Sequence, residues 1–482
     1  MKNTILNSFK NNPTLFLGLS TILFCFLFYL QNFGYNLLLF SLLLMNLLVL
    51  YKPTILSKTN AKIHLGILII TSFSSAYYAD WFSITYTVIL LFFLPAMTLD
   101  TEKKLLYAPF KTIWSYLTSP LRLSKLKLSN KSSIDFGIKK IALYVLLPLA
   151  FFLIFLPLYT YINEDFSKTI NSINLDFLDL NLFFMFAFGF VLLFPFWFYP
   201  ENLSFKETAV EQYTQENFST QTQESEKINL VLYQSGVIVF IILNLLIASL
   251  LFFDFQGIIN KKIIASDFNY SNYVHEGVTA VIFSIIMAII VILIYFSREL
   301  NFSSDKKLRL LAITWIILNS LLLISTAWKN QIYIENQGLT LKRLGVYGFL
   351  ILCSAGLIIS FLKLHFRKTN YFLFNKTNWT VLIFFALICP INWSKLITVH
   401  NINEFKHNGM ILDLQYLYSL PFYNYRELEK FEEERETFTF SEREKILNNP
   451  NEYQLIEREK TIESAQKNQK DLRSASFFMY EF

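Results

Sequence analysis

Charge is scarce in this chain and missing altogether from long stretches of it. Lys, Arg, Asp and Glu make up 16% of the 482 residues, against 54% hydrophobic residues, and the mean hydropathy is +0.41. A soluble domain of this size could bury a large core, but it would still need a charged exterior. Here the charges are excluded from repeated runs of about 17–22 residues, the length of a helix crossing the roughly 30 Å hydrocarbon layer. Cysteine is nearly absent as well. Cys25, Cys353 and Cys389 all fall inside or at the edge of apolar runs, which suits small packing residues and argues against a disulfide framework or a thiolate metal site. Five histidines show no metal-ligand spacing, so no metal ligand and no cofactor are expected. There is no Walker motif, dinucleotide fingerprint, nucleophile elbow or Asp-rich prenyl-transfer sequence, and no catalytic residue is assigned. No carboxylate stands near the middle of any apolar run, which weakens proton- or sodium-driven transport.

What the chain has instead is phenylalanine, 51 residues of it, and apolar runs at 13–30, 35–51, 63–79, 83–98, 141–160, 181–199, 229–251, 276–297, 308–327, 344–362 and 378–397. Barrel strands would be about ten residues long and would alternate strictly. The pattern predicts an all-α fold: a polytopic transmembrane helical bundle of about eleven spans, with a polar helical C-terminal tail. Ser72, Ser74 and Ser75 dilute the third run. Lys2 and Lys10 precede Leu15–Leu30, but "YLQNFGYN" offers no small-x-small cleavage site, so the first run reads as a retained span.

Basic residues set the expected orientation. Lys52, Lys58 and Lys62, then Lys103, Lys104, Lys111, Arg122, Lys125, Lys127, Lys131, Lys139 and Lys140, then Arg298, Lys306, Lys307, Lys363, Arg367, Lys368 and Lys376 share one side. The other side holds Asp80 and "NEDFSKTINSINLDFLDL", with four acids and one lysine. The positive-inside bias puts the N-terminus in the cytoplasm of a bacterial inner membrane, and eleven crossings put the C-terminus in the periplasm. The chain divides into an N-terminal membrane bundle, 1–199, with a basic cytoplasmic loop at 101–140; a flexible acidic linker, 200–227; a C-terminal membrane bundle, 228–397; and an extramembrane tail, 398–482. In the basic loop "LRLSKLKLS" suits a surface-lying helix or an extended arm. The net charge of +6 suits anionic lipid headgroups, and no stacking aromatics or fold signature point to nucleic acid. Membrane lipids are the expected partners. A membrane or periplasmic protein partner is expected at 398–482, because "RELEKFEEERE" can satisfy itself in water through i,i+4 pairs and the membrane body would not need it. For the final "SFFMYEF" two readings stand, docking back on the body or fraying at an interface.

Two polar strips interrupt the second half. "WKNQIYIENQGLTLKRLGVYG", from Trp328, carries Lys329, Glu335, Lys342 and Arg343 between two spans. A connection between spans must be polar, and Gly338 suits a turn; Lys329 and Arg343 nevertheless oppose the usual charge bias there. "DFNYSNYVHEGVTAV" places His275 and Glu276 at the mouth of an apolar run. Histidine suits a proton shuttle, but neighbouring helical residues point about 100° apart, and "HEG" lacks the second histidine of a zinc helix. Gln234, Asn244 and Asn319 within spans suit interhelical hydrogen bonds.

These strips, with the later "INWSKLITVHNINEF", resemble an uncharacterised bacterial multi-pass family, domain of unknown function 4173, itself 4153-like. The resemblance rests on Tyr273 and Gly277, Lys329 with Tyr333, Gly338-Leu339-Thr340, Arg343, and "ILDLQYLYSLP" with Leu412, Asp413, Tyr416 and Leu417. It covers roughly 230–420 and implies no activity. Lys329 stands where the family's pattern suggests Arg, which keeps charge but not a bidentate fork. The candidate site is therefore one outer-face patch of Tyr273, His275, Lys329, Tyr333, Thr340 and Arg343. The expected function is that of a non-catalytic inner-membrane scaffold, sensor or partner-binding subunit acting through outer loops and tail. The alternative is a transporter or flippase of a lipid-like or amphiphilic substrate.

Overall fold

The computed structural model describes residues 12–99, 108–119, 180–199, 230–259, 270–296, 300–302 and 306–481, with isolated positions at 122, 151, 155, 159 and 161. The chain divides into two compact units, Met1–Leu203 with Gln466–Phe482, and Ser204–Ala465. Both are built from helices. Among the described residues the one sheet is a parallel pair of two-residue strands, β1 (Leu412–Asp413) and β2 (Ile446–Leu447).

In the first unit, α1 (Pro13–Phe28), α2 (Tyr35–Tyr51), α3 (Thr59–Tyr78), α4 (Trp81–Thr98) and α6 (Leu180–Trp197) pack in sequence, with α6 closing onto both α1 and α4. The short α5 (Ala108–Leu117) lies against α4. Asn12 caps α1 ahead of Pro13, and the Asp80 carboxylate accepts from Phe82 N and Ser83 N, both at 3.1 Å, to start α4. The interior of this unit is rich in hydroxyls. Ser20, Thr21, Ser41, Thr71, Ser75 and Thr98 are fully buried, each donating to a carbonyl of its own helix, while Phe26, Ile70, Phe73 and Phe183 face outward. Small polar residues inside and large apolar ones outside are what helices surrounded by lipid use to approach closely.

The C-terminal residues belong to this unit, and main-chain contacts hold them there. The carbonyls of Arg473 and Ala475 accept from Asn36 N (2.8 Å) and Tyr35 N (2.9 Å), supplying two of the partners that the first turn of α2 lacks within itself. Phe477 N donates to Ala76 O at 3.0 Å, and the Phe477 ring lies 4.2 Å from that of Tyr35. Gly34 permits the approach: a Cβ there would come within 2.3 Å of Ala475 O. Of the two readings of "SFFMYEF", docking is therefore the one observed.

In the second unit α7 (Leu230–Ile259), α8 (Tyr270–Tyr295), α9 (Lys307–Gln337) and α10 (Leu341–His365) share a core centred on Phe240, Ile292, Phe296, Trp315 and Leu357, and α11 (Asn370–Ile388) packs through Phe372 and Leu373 in a separate cluster with Ile359. Asn244 Nδ2 crosses from α7 to Leu311 O of α9 at 3.0 Å, as expected of a polar residue in a span, whereas Asn319 bonds within its own helix and Gln234 faces outward. Beyond α11 the chain builds a C-terminal module from α12 (Trp393–Asn408), α13 (Leu414–Ser419), α14 (Tyr425–Arg435) and α15 (Phe440–Glu444), with the two short strands between them. Its core joins Ile397, Phe405, Leu412, Leu417, Leu428 and Phe431 to Ile334 and Leu339 at the end of α9. α16 (Glu452–Asn468) follows, and its Arg458 donates to Asn424 Oδ1 at 2.8 Å and Tyr418 O at 3.3 Å.

One expectation is narrowed here and two are corrected. By length and composition, six helices among the described residues are long and apolar enough to cross a membrane, against the eleven spans expected: Trp81–Thr98, Leu180–Trp197, Leu230–Gln256, Lys307–Gln337, Leu341–His365 and Asn370–Ile388. Pro13–Phe28, Tyr35–Tyr51 and Phe283–Tyr295 are apolar but shorter, α3 is diluted by Lys62, His64 and its serines, and the run at 141–160 lies outside the described residues apart from positions 151, 155 and 159. Second, "RELEKFEEERE" is not a self-sufficient solvated helix, since Leu428 and Phe431, three residues apart on one face, are buried in the module core. Third, Arg122 from the basic loop is turned inward, its guanidinium donating to the carbonyls of Phe198 and Ser115. The rest of "LRLSKLKLS" and the linker 200–227 lie outside the described residues.

Candidate functional site

The polar strip at 328–343 is mostly helix. α9 runs 31 residues to Gln337, about 46 Å at 1.5 Å per residue, and so outlasts a hydrocarbon layer of roughly 30 Å. Gly338, at φ +77°, ends it in a conformation that a side chain would strain. Thr340 then caps α10, its Oγ1 accepting from Arg343 N at 3.3 Å. Only residues 338–340 separate the two helices. A loop was expected because the strip is polar, but a helix leaving the membrane turns polar without ending.

Arg343 folds back over this junction. Its Nη1 donates to Gln337 O at 2.7 Å and to Gly338 O, satisfying carbonyls that α9 leaves open. Its guanidinium lies 3.8 Å over the Tyr333 ring, a contact of about 0.5–1 kcal/mol where exposed. Asn330, fully buried, donates to Arg343 O at 3.1 Å. Across the turn the C-terminal module grips the same backbone. Asn401 accepts from Leu339 N at 2.6 Å and donates to Leu339 O at 2.9 Å, as a neighbouring strand would. Tyr416 Oη accepts from Leu341 N at 2.8 Å, and Tyr416 N is itself fixed by the Asp413 carboxylate at 3.0 Å. Burial raises the Tyr416 phenol above its ordinary range, so it stays protonated at neutral pH.

Lys329 takes no part in this clamp. It points toward α7, where its Nζ meets Asp254 Oδ2 at 2.7 Å, and Ser325 Oγ, one turn earlier on α9, donates to the same oxygen at 3.0 Å. The structure thus gathers Tyr333, Thr340 and Arg343 and assigns Lys329 to a separate ion pair. Tyr273 and His275 fall in the first turns of α8, where the side chains lie outside the described residues. Asp254 and Asn401 were missed in the sequence. A lone Asp in "LLFFDFQ" is expensive near a membrane and calls for a partner, a signal lost by ending the span at Leu251. Nothing local marks Asn401.

Both Asp254 and Lys329 keep 16% of their side-chain surface exposed, between the screened and the fully desolvated case. Asp254→Asn or Lys329→Gln alone should cost about 1–3 kcal/mol by stranding the remaining charge, and the double substitution less than either. Thermal unfolding in detergent gives the order; a double variant no more stable than the worse single would remove the pair from the account. Chemically, then, the geometry is that of a clamp. Among the described residues no three or more His, Cys, Asp or Glu side chains gather to hold a metal ion.

A family model described as Domain of unknown function (DUF4153) matches residues 15–431. The match takes in the N-terminal helices as well as the 230–420 stretch whose motifs pointed to such a family. No curated protein and no solved structure matches the chain.

Proposed function

We propose a reading whose premise is that the chain belongs to the DUF4153 family of bacterial membrane proteins: it is a non-catalytic subunit that holds a folded outer module, residues 393–465, for a partner. One observation carries this. The module has its own core and is locked to the α9–α10 turn through Asn401 and Tyr416, so it moves with two membrane helices as one piece. A tethered tail would not transmit the position of those helices; a clamped module does.

The eleven-span topology belongs to this proposal, from the six long apolar helices, the three shorter ones, α3, and the run at 141–160. The outward side of the module has separate support in each unit. In the second, the module packs on residues 338–341; in the first, residues 473–477 pack on 34–36 and Ala76. By the charge bias both are the less basic ends, which favours an odd number of crossings with the N-terminus inside. Transport or flipping of an amphiphile is the second reading, favoured by fully buried His64, whose Nε2 meets Leu90 O at 3.1 Å while Nδ1 has no partner among the described residues.

The test pairs two measurements on the full chain. Photo-crosslinkers at exposed Tyr453 and Leu447 should trap one recurring membrane or periplasmic protein, and Asn401→Ala should abolish that product at unchanged expression. If the purified chain instead moves a fluorescent phospholipid across sealed vesicles, transport replaces the partner reading.

A further inference from the structure

At the other end of α9, about 40 Å from Gln337 along the helix, polar side chains from five segments meet. Lys363, fully buried near the end of α10, donates to Phe296 O at 2.7 Å, just past α8. Asn370, at the start of α11, donates to Leu293 O at 3.3 Å on the same face of α8. Arg309 Nη2 donates to Asn301 O at 3.1 Å, and Asn301 Nδ2 to Lys368 O at 3.4 Å. Lys368 N returns to Lys363 O at 2.9 Å, and Arg367 lies within electrostatic reach of Arg309.

What this cluster leaves unmet defines its ligand. An ammonium has three N–H donors, and one acceptor is found for Lys363 among the described residues. Among the described residues, buried Arg309 Nε meets no acceptor, and the buried amide oxygens of Asn301 and Asn370 meet no donor. Asn301 itself is fully buried. Arg309, Lys363 and Arg367 have no ion pair among the described residues. Buried cations are costly without a counter-charge and complete hydrogen bonding. An anion would meet the basic donors, and Arg suits phosphate oxygens in particular. The two amide oxygens need hydroxyl donors beside that anion.

We propose that this end of the second unit binds a phosphate ester carrying neighbouring hydroxyls, the chemistry of a phosphoglycerol headgroup. Arg309, Lys363 and Arg367 take the phosphate, and Asn301 and Asn370 accept from the hydroxyls. The site is independent of the outer module and survives the failure of the partner reading.

The full-length protein, delipidated in neutral detergent, is titrated with phosphatidylglycerol, phosphatidylcholine or glycerol 1-phosphate while its thermal midpoint and retained lipid mass are followed. Phosphatidylglycerol should raise the midpoint and remain bound, and phosphatidylcholine, whose choline cancels the charge and offers no hydroxyl, should do neither. A response to glycerol 1-phosphate alone keeps the site and makes its source a soluble ester. Arg367→Gln, at an exposed position that should not disturb folding, and Arg309→Gln should each raise the half-maximal concentration about tenfold, the loss of one charged hydrogen bond. Equal responses to both lipids, no response to any ligand, or unchanged titrations in both variants overturn the proposal.

Discussion

Phe431→Ala should destabilise the C-terminal module by about 3–5 kcal/mol, the usual range for removing a buried aromatic ring. The ring is 1% exposed, and it meets Phe405 and Phe438 at centroid distances of 5.9 and 5.5 Å. No nearby chain end is free to collapse into the gap, because α12 and α14 are pinned on either side of it. Hydrogen exchange on the detergent-solubilised protein should show protection lost through residues 393–447 while the core around Phe240 and Trp315 keeps it. Truncation after Tyr425 should do the same and also remove the residues that pack on α2. An unaltered exchange pattern in Phe431→Ala would mean that the module core contributes nothing to its own stability.

Composition disclosed the membrane setting, since excluding charge from a 20-residue run has few other causes. Several residues of the family motifs do lie together, Tyr333, Gly338, Thr340, Arg343 and Tyr416 all standing at the α9–α10 turn. Their role was harder to read, because a polar connection and a ligand patch have the same composition. What separates them is where each donor finds its acceptor. Arg343 spends its donors on the carbonyls of Gln337 and Gly338, and Lys329 is neutralised by Asp254, 75 positions earlier in the chain. Pairings at that separation leave no periodic trace. The tail misled for a related reason. In "RELEKFEEERE" the charges outnumber the apolar residues, yet two apolar side chains at i and i+3 suffice to dock a short helix once Phe405 is opposite them. The contact of residues 473–477 with α2 was illegible because main-chain carbonyls make much of it.

Asn401→Ala should unseat the module from the membrane helices while leaving both folded. Among the described residues its amide is the partner that both Leu339 N and Leu339 O find at this buried position, and each stranded backbone group costs about 1–3 kcal/mol, so the substitution should cost about 2–6 kcal/mol. Gly338 cannot adjust freely to compensate, since Asn401 Oδ1 already lies 3.1 Å from where a Cβ would stand and the turn is fixed by Thr340 and Arg343. Asn401→Asp keeps the acceptor for Leu339 N and loses the donor to Leu339 O, so it should fall between wild type and alanine. Amide hydrogen exchange reads the seating directly: the amides of residues 339–341 and 412–417 should exchange at least tenfold faster in Asn401→Ala than in wild type. Equal exchange rates would show that Tyr416 and the Leu339 side chain hold the module unaided, and the clamp would then reduce to hydrophobic packing around Ile334, Leu339 and Leu417.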